Sequence, residues 1–467
     1  MTLFLTNNSS DNVIPIYVVA KAEFPIWNSE QSDFVSQWLS HTQFEAESGE
    51  VALVPDKTGG LAQVIVGLGD TSFHWIAGKL AESLPSHEYC LQTFVGIPKS
   101  DHISASNWFS LAWALGAYRF NRYRPKKPSF ATLVWPLLAD RDYVTGAYNA
   151  ATLTRDLINT PAEDMGPDAL YKVAYDIALE HKAIISEVRG EELLDANLPA
   201  IYAVGRAAAK VPRLIDFSWG NESSPKVTLI GKGVCFDTGG LDLKPSSGMR
   251  LMKKDMGGAA VVLGLSQWIM AAKLDMRLRV LIPAVENAVS GNAFRPGDVV
   301  NSRDGKKIEI GNTDAEGRVI LADALTLACE DDPGLVIDCA TLTGAARVAL
   351  GPDIPAMFTD DDQLAAEIMS ASQDQKDPIW RLPMWEGYNK MNDSKIADIT
   401  NSGSGGFAGA ITAALFLKKF MLPDVPWVHI DLYGWGQSDR PGRPAGGLEQ
   451  CQRALFVMLN KKYNIKG

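Results

Sequence analysis

Histidine is scarce in this chain: 6 among 467 residues. Only His181 and His429 fall in residues 151–467, so a zinc site of the H-E-x-x-H kind cannot be built there. His41, His74, His87 and His102 lie far apart with no partner at helical spacing, which argues against a metal role for them as well. Cysteine is thin too. Cys90, Cys235, Cys329, Cys339 and Cys451 are odd in number, scattered and never spaced C-x-x-C, so they fit neither a disulfide framework nor a thiolate zinc site and read as buried thiols. No G-x-S-x-G elbow occurs, and Cys235 has no visible histidine partner, which sets covalent catalysis aside. Positive charge is in deficit, with 44 Lys and Arg against 55 Asp and Glu and a formal net charge of −11. That balance disfavours nonspecific binding to nucleic acid, whose strength comes from a basic surface meeting phosphates. The one dense basic run, Arg119, Arg122, Arg124, Lys126 and Lys127, reads as a solvated face or a domain contact. Apolar runs such as Ala259 to Leu265 fall well short of the ~20 residues that cross a bilayer. Residues 1–11 lack the basic-then-apolar layout of a signal peptide, so a cytoplasmic location with no membrane partner is expected.

What is present is core-forming material. Hydrophobic residues make up 46% and charged residues 21%, and the length exceeds the ~100–200 residues typical of one domain, which suggests two domains. Residues 1–150 alternate strand-like runs (Val13 to Val19, Val51 to Val54, Gln63 to Val66) with helix-like ones (Phe34 to Leu39, Trp108 to Tyr118), the pattern of an α/β domain. Asp140 to Pro161 reads as a helical connection, stopped by Asn159-Thr160-Pro161. Residues 151–467 continue the alternation more boldly. Val227 to Ile230, Leu278 to Ile282, Leu335 to Cys339 and Val428 to Leu432 read as strands; Gly257 to Leu274, Leu321 to Cys329 and Ile411 to Met421 read as helices. Val299-Val300 and Lys307 to Ile310 flank Asp304-Gly305, a dipeptide favoured in tight hairpin turns. The expected class is therefore α/β, the second domain built on a central mixed β-sheet flanked by helices, with strand ends as the natural place for a site.

Three segments concentrate polar groups in apolar surroundings. Gly231 to Gly240 (GKGVCFDTGG) follows a strand; its Gly-Lys-Gly step lacks the remainder of a P-loop, and its glycines let backbone approach a ligand closely. Lys244 comes next, and then Asp255, immediately before a predicted helix, where a carboxylate is also a favoured N-cap. Asn312 to Arg318 (NTDAEGR) lies between a strand and a helix; Asp314 and Glu316, two apart, point to one side of an extended stretch and could share a cation, or form an ordinary surface ion pair. The company decides between these readings. Asp237, Asp255, Asp314 and Glu316 would gather four negative charges, prohibitive without compensating cations. Two divalent metals supply them, and a water between two such metals becomes a nucleophile at neutral pH. Lys232 could serve as a neutral ligand beside a cation, while Lys244 could stay protonated and polarise a carbonyl. Carboxylate oxygens suit Mn²⁺, Mg²⁺ or Co²⁺.

In order and spacing, Asn159-Thr160-Pro161, Gly231 to Lys244, Asp255 to Ala260, Ser290-Gly291-Asn292, Asn312 to Asp323 and Asp338 to Ala345 resemble the leucyl aminopeptidases, the M17 group of cytosolic metallo-aminopeptidases. The resemblance implies hydrolysis of the N-terminal residue, leucine or another apolar one, from peptides with a free N-terminus. It assigns Lys232, Asp237, Asp255 and Glu316 to a readily exchanged metal site and Asp237, Asp314 and Glu316 to a tighter one. With the lysine nitrogen, it favours Zn²⁺ in at least one site. Lys244 and Arg318 become the catalytic pair, Arg318 holding a bicarbonate that acts as general base. Met252, Asn312, Thr341 and Gly344 are expected to line the pocket for the first side chain, with Leu342 offering a backbone contact. Pro444-Ala445-Gly446-Gly447 departs from the family's pattern at the pocket wall, and Thr238 replaces a serine while keeping its hydroxyl. The resemblance further implies a macro-like N-terminal domain and a homohexamer. Two alternatives stand beside it: a regulatory or DNA-binding relative, and another two-metal hydrolase such as a phosphoesterase. The intact ligand set speaks against the first, and the shortage of histidine with no phosphate-cradling motif speaks against the second.

Overall fold

The structure, a computed structural model, describes residues 3–7, 12–70, 72–124 and 130–464. Two compact units emerge: Met1–Asn149 with Gln437–Ala445, and Ala150–Gly436 with Gly446–Gly467. The helix Arg141–Asn159 runs through the boundary that the sequence places near Ala150. The short return of Gln437–Ala445 to the first unit carries no local pattern that would announce it. Lys126 and Lys127 of the basic run lie outside the described residues; Arg119 of the same run is spent internally, 2.6 Å from Glu82 and over the Phe130 ring.

In the first unit a six-stranded sheet runs in the order Leu5–Thr6, Thr132–Val134, Glu88–Val95, Ile14–Ala20, Leu61–Gly69 and Val51–Pro55, parallel except for the last pair. The helix His102–Ala117 is buried on almost every face, its Phe109 and Trp113 packing with Ile16, Val18, Val64 and Val66.

The second unit carries the larger sheet. Its central strands Trp427–Asp431, Leu335–Ala340, Lys226–Gly231 and Arg277–Asn287 are mutually parallel, in that order. Arg213–Trp219 and Ile184–Arg189 extend one side antiparallel, while Ala356–Phe358 joins the other side antiparallel to Trp427–Asp431. Leu335–Ala340 and Trp427–Asp431 are buried at every residue, as expected of parallel strands covered on both faces. The hairpin at Asp304-Gly305 forms as expected, Val299–Asn301 pairing with Lys307–Glu309 and Gly305 taking a left-handed φ of 87°. Helices Gly257–Ala272 and Gln452–Tyr463 pack together, with Trp268 and Phe456 stacked at 3.6 Å between centroids. On length and apolar composition alone Met252–Ala272 could cross a membrane, but 83% of that window is buried inside the protein, which marks a core helix.

Candidate metal centre

The C-terminal ends of the four parallel strands converge on one edge of the sheet, where open α/β sheets place their sites. Lys232 follows Lys226–Gly231, Thr341 follows Leu335–Ala340, and Asn287 and Asp431 are the last residues of their own strands. Asp237 closes a further strand, Gly233–Asp237, which pairs parallel with the end of Arg277–Asn287 after a bulge between Val234 and Phe236. An extra residue in a strand re-aims the side chains beyond it, here Asp237.

The glycines around Lys232 act differently from the sequence expectation: they admit other backbone rather than a ligand. A Cβ on Gly231 would meet Ala259 Cα at 2.5 Å, and one on Gly233 would meet the Pro283 carbonyl at 2.7 Å. The helix start at Gly257 therefore closes onto the Lys232 backbone, whose carbonyl accepts from Ala259 N–H at 3.0 Å. Asp255 is no N-cap. Met256 holds that position and makes no side-chain cap bond, so the Asp255 carboxylate is free to face Lys232. Asp314 and Glu316 do not share an extended stretch either: Asp314 sits in a turn and Glu316 is the first residue of the helix Glu316–Cys329.

Asp237, Asp255 and Glu316 each bring one carboxylate oxygen to within 4.8 Å of the others, all three side chains buried. Lys232 Nζ stands 2.7 Å from Asp255 Oδ2 and 2.9 Å from Glu316 Oε1, and donates to the Thr341 carbonyl at 2.9 Å. Lys244 Nζ is 2.8 Å from Asp237 Oδ2 and ion-paired with Asp314. All five expected ligands and Lys244 thus lie in one connected group. Four carboxylates against two ammonium groups leave two formal negative charges, and the carboxyls respond. Burial, then the Asp237 charge, lift Glu316 well above the usual range and push Asp314 up to about 6. Burial pulls both lysines down, yet the surrounding carboxylates outweigh it and hold them above the ordinary value. Asp255 Oδ2, Asp314 Oδ1 and Glu316 Oε1 are buried without a well-formed hydrogen bond, although each has a lysine in ion-pair range. Buried oxygens in need of positive charge fit divalent cations.

Two family models match the chain. The cytosol aminopeptidase family catalytic domain matches residues 152–453, and the M17 aminopeptidase N-terminal domain matches residues 14–136. The chain belongs to the cytosol aminopeptidase family. As a member it is a metal-dependent hydrolase, an exopeptidase acting at peptide N-termini, with the two-domain mixed α/β architecture of the family. It is 39% identical over 366 residues to a probable cytosol aminopeptidase of Syntrophotalea carbinolica, covering 74% of this chain and 73% of that one. The crystal structure of a cytosol aminopeptidase from Coxiella burnetii superimposes with a TM-score of 0.93 at 45% identity, over 98% of this chain and 99% of that one. The bottromycin maturation enzyme BotP in complex with Mn superimposes at 0.86 and 32% identity, over 97% and 100%.

Several residues expected to line the aminopeptidase pocket have other partners. Asn312 spends its side-chain oxygen on the Asp314 N–H at 2.8 Å, and Thr341 Oγ1 donates to Asp255 Oδ1 at 2.8 Å. The Leu342 N–H is taken by Asp431 Oδ1 at 3.0 Å. Gly344 is exposed at the start of the helix Gly344–Leu350, and Met252 is half-buried. Arg318 is buried, which lowers its guanidinium to about 10; Nη1 donates to the Asn401 carbonyl at 2.8 Å and Nε has no partner. Pro444 and Ala445 belong to the first unit, while Gly447 donates to Asn159 Oδ1 at 2.8 Å in the second.

Sequence reasoning passed over a supporting ring. Asn287 Nδ2 donates to Asp237 Oδ1 at 2.8 Å and to the Thr313 carbonyl at 3.0 Å. Asp242 Oδ2 accepts from Thr313 N–H at 2.7 Å, and Asp431 holds Leu342 and Thr343. A polar residue at the end of a mostly buried strand, as Asn287 and Asp431 are, was the available signal.

Proposed function

We propose that this aminopeptidase works with two divalent cations, one held by Asp237, Asp255, Glu316 and Lys232, whose ammonium would give up its proton as the metal takes its place beside the carboxylates, and the other by Asp237, Asp314 and Glu316. The observation that carries the reading is the convergence of buried carboxylate oxygens whose negative charge the two neighbouring lysines do not fully offset. When bound, such a metal pair polarises the scissile carbonyl and activates a water for attack. Lys244, kept protonated by its carboxylate neighbours, donates to the carbonyl oxygen as charge builds there. Arg318 offers an unpartnered Nε in a buried setting, suited to a small planar anion such as bicarbonate serving as general base. The substrate's free amino group, which only a chain end possesses, accounts for the exopeptidase action. Thr341 Cγ2 and Leu432 Cδ1 lie beside both Gly257 and Gly434, an apolar surface that favours leucine or a similar first residue.

The carboxylate-rich donor set and the manganese held by BotP support Mn²⁺, and the lysine nitrogen supports Zn²⁺ in the site it serves. We assign the protein to the cytoplasm, as a homohexamer acting on peptides, without membrane or nucleic-acid partners; the five free cysteines accord with the location and the acidic balance with the absence of nucleic acid. Glu316→Gln tests the centre: calorimetric titration with Mn²⁺ should lose both binding events and leucyl anilide hydrolysis should cease, with the fold retained by circular dichroism. Unchanged hydrolysis would overturn the assignment.

A further inference from the structure

We propose that Asn401 is a positioning residue whose side-chain amide sets the turn bearing Asp314 and leading into Glu316 and Arg318, a role that rests on the two-metal reading above. Asn401 is fully buried and follows the two-residue strand Ile399–Thr400, which pairs parallel with Lys307–Glu309. Its own N–H continues that pairing by donating to the Glu309 carbonyl at 3.0 Å. The side chain then reaches the chain that leaves the partner strand. Oδ1 accepts from Gly311 N–H at 2.9 Å and from Asn312 N–H at 3.3 Å. Nδ2 donates to the Asn312 carbonyl at 2.8 Å and to the Ala315 carbonyl at 3.2 Å. An asparagine amide has two donors and two acceptor positions, and all four are engaged.

No other residue type of this size reproduces that pattern. Aspartate cannot donate when ionised, and leucine would leave buried backbone groups unpaired. The clamp complements the groups already described: Asp242 and Asn287 hold Thr313 in the middle of the turn, whereas Asn401 holds both flanks. Its backbone carbonyl also takes Arg318 Nη1 at 2.8 Å, while the buried guanidinium Nε has no partner. One buried residue therefore couples the direction of two proposed metal ligands to the orientation of the proposed anion holder. It touches neither substrate nor metal, so its effect runs through the groups it orients.

The test uses the full chain carrying Asn401→Asp, which keeps the two accepting bonds and loses both donations. Amide exchange in the peptide 309–318, followed by mass spectrometry without added metal, should accelerate. Mn²⁺ affinity and kcat on a leucyl anilide should each fall ~10–100-fold, the range for removing a partner that orients a metal ligand, with KM little changed. Should that variant not fold, Asn401→Ser, which introduces space instead of charge, is read in the same way. Parental exchange together with Mn²⁺ affinity and kcat within about twofold of the parent would overturn the proposal, as would losses that merely track a lowered Tm. If the parent chain binds no Mn²⁺ and does not hydrolyse the anilide, yet exchange responds as expected, the two-metal reading falls while the positioning of the turn stands.

Discussion

Replacing Thr341 with valine isolates one hydroxyl at the centre. Thr341 is 6% exposed; its Cγ2 lies 3.0 Å from where a Cβ on Gly257 would sit, so the methyl side is tightly packed and valine preserves it. The hydroxyl carries a single proton and stands 2.8 Å from Asp255 Oδ1 and 3.0 Å from the Asp255 carbonyl, the carboxylate being the closer acceptor. Two consequences oppose each other. Without the donor the carboxylate becomes more basic, which strengthens its pull on a cation. It is also no longer held with Oδ2 toward Lys232 and Glu316, and a methyl now faces two oxygens. A hydrogen bond to a charged group contributes about 1.5–3 kcal/mol, or roughly 10- to 150-fold in an equilibrium constant. Loss of such outer partners costs metal sites ~10–100-fold, so orientation outweighs basicity. Mn²⁺ titration of Thr341→Val should therefore show one of two binding events weakened by ~10–100-fold, with kcat/KM on a leucyl anilide falling alongside. Thr341→Ser, which keeps the hydroxyl, should stay near the parent. If the valine variant binds and turns over like the parent while the serine variant is damaged, the methyl packing matters and the hydroxyl argument is wrong.

Gly317→Ala should be damaging for a steric reason, since the new Cβ would fall 2.5 Å from Lys232 Cε and 2.8 Å from Nζ, atoms pinned by Asp255 and Glu316. Overpacking of this kind costs about 1–3 kcal/mol, visible as a lower Tm without metal and as weakened metal binding. The buried His429–Asp338 pair, 2.6 Å apart, gives a pH signature. Burial lowers the imidazole pKa, but Asp338 outweighs it and the net shift is upward. A raised value in the folded state means that the contribution is fully present below the unfolded value of ~6.5 and is lost as pH rises through the folded one. Between pH 6 and 9 the parent should therefore lose more Tm than His429→Gln; parallel curves would refute the charged pair. Chelation should abolish hydrolysis and lower Tm, and readdition of Mn²⁺ at about 100 times Kd should restore about 2.7 kcal/mol of stability. Activity that survives chelation with no bound metal would be incompatible with the centre.

The groups proposed to bear the chemistry were legible because each lies in a short segment whose residue types make little sense otherwise. Asn312 to Arg318 and Gly231 to Lys244 crowd charge into apolar chain, and the charge count alone called for cations. Strand and helix periods likewise show through in Leu335–Ala340 and Gly257–Ala272, where burial demands continuous apolar residues. Local geometry was less readable. The two-residue spacing of Asp314 and Glu316 implied an extended stretch, and Asp255 had the position of a helix cap; a turn-to-helix junction and Met256 as N-cap replaced both.

Composition and motif spacing by themselves thus pointed to the α/β class, the hairpin at Asp304-Gly305 and the cation-demanding residues, because those rest on residue chemistry and on periods repeated within one element; the reaction type came with the resemblance to the leucyl aminopeptidases. Only the tertiary structure decided which strand ends meet. Parallel order along Trp427–Asp431, Leu335–Ala340, Lys226–Gly231 and Arg277–Asn287 brings Asp431, Thr341, Lys232 and Asn287 to one edge, although about 200 residues separate the outermost of them in sequence. The partners that shape the candidate site, Asn287, Asp431 and Asn401, are single polar residues whose hydrogen bonds cross those gaps, and a pairing between distant residues leaves no period within either element to reveal it.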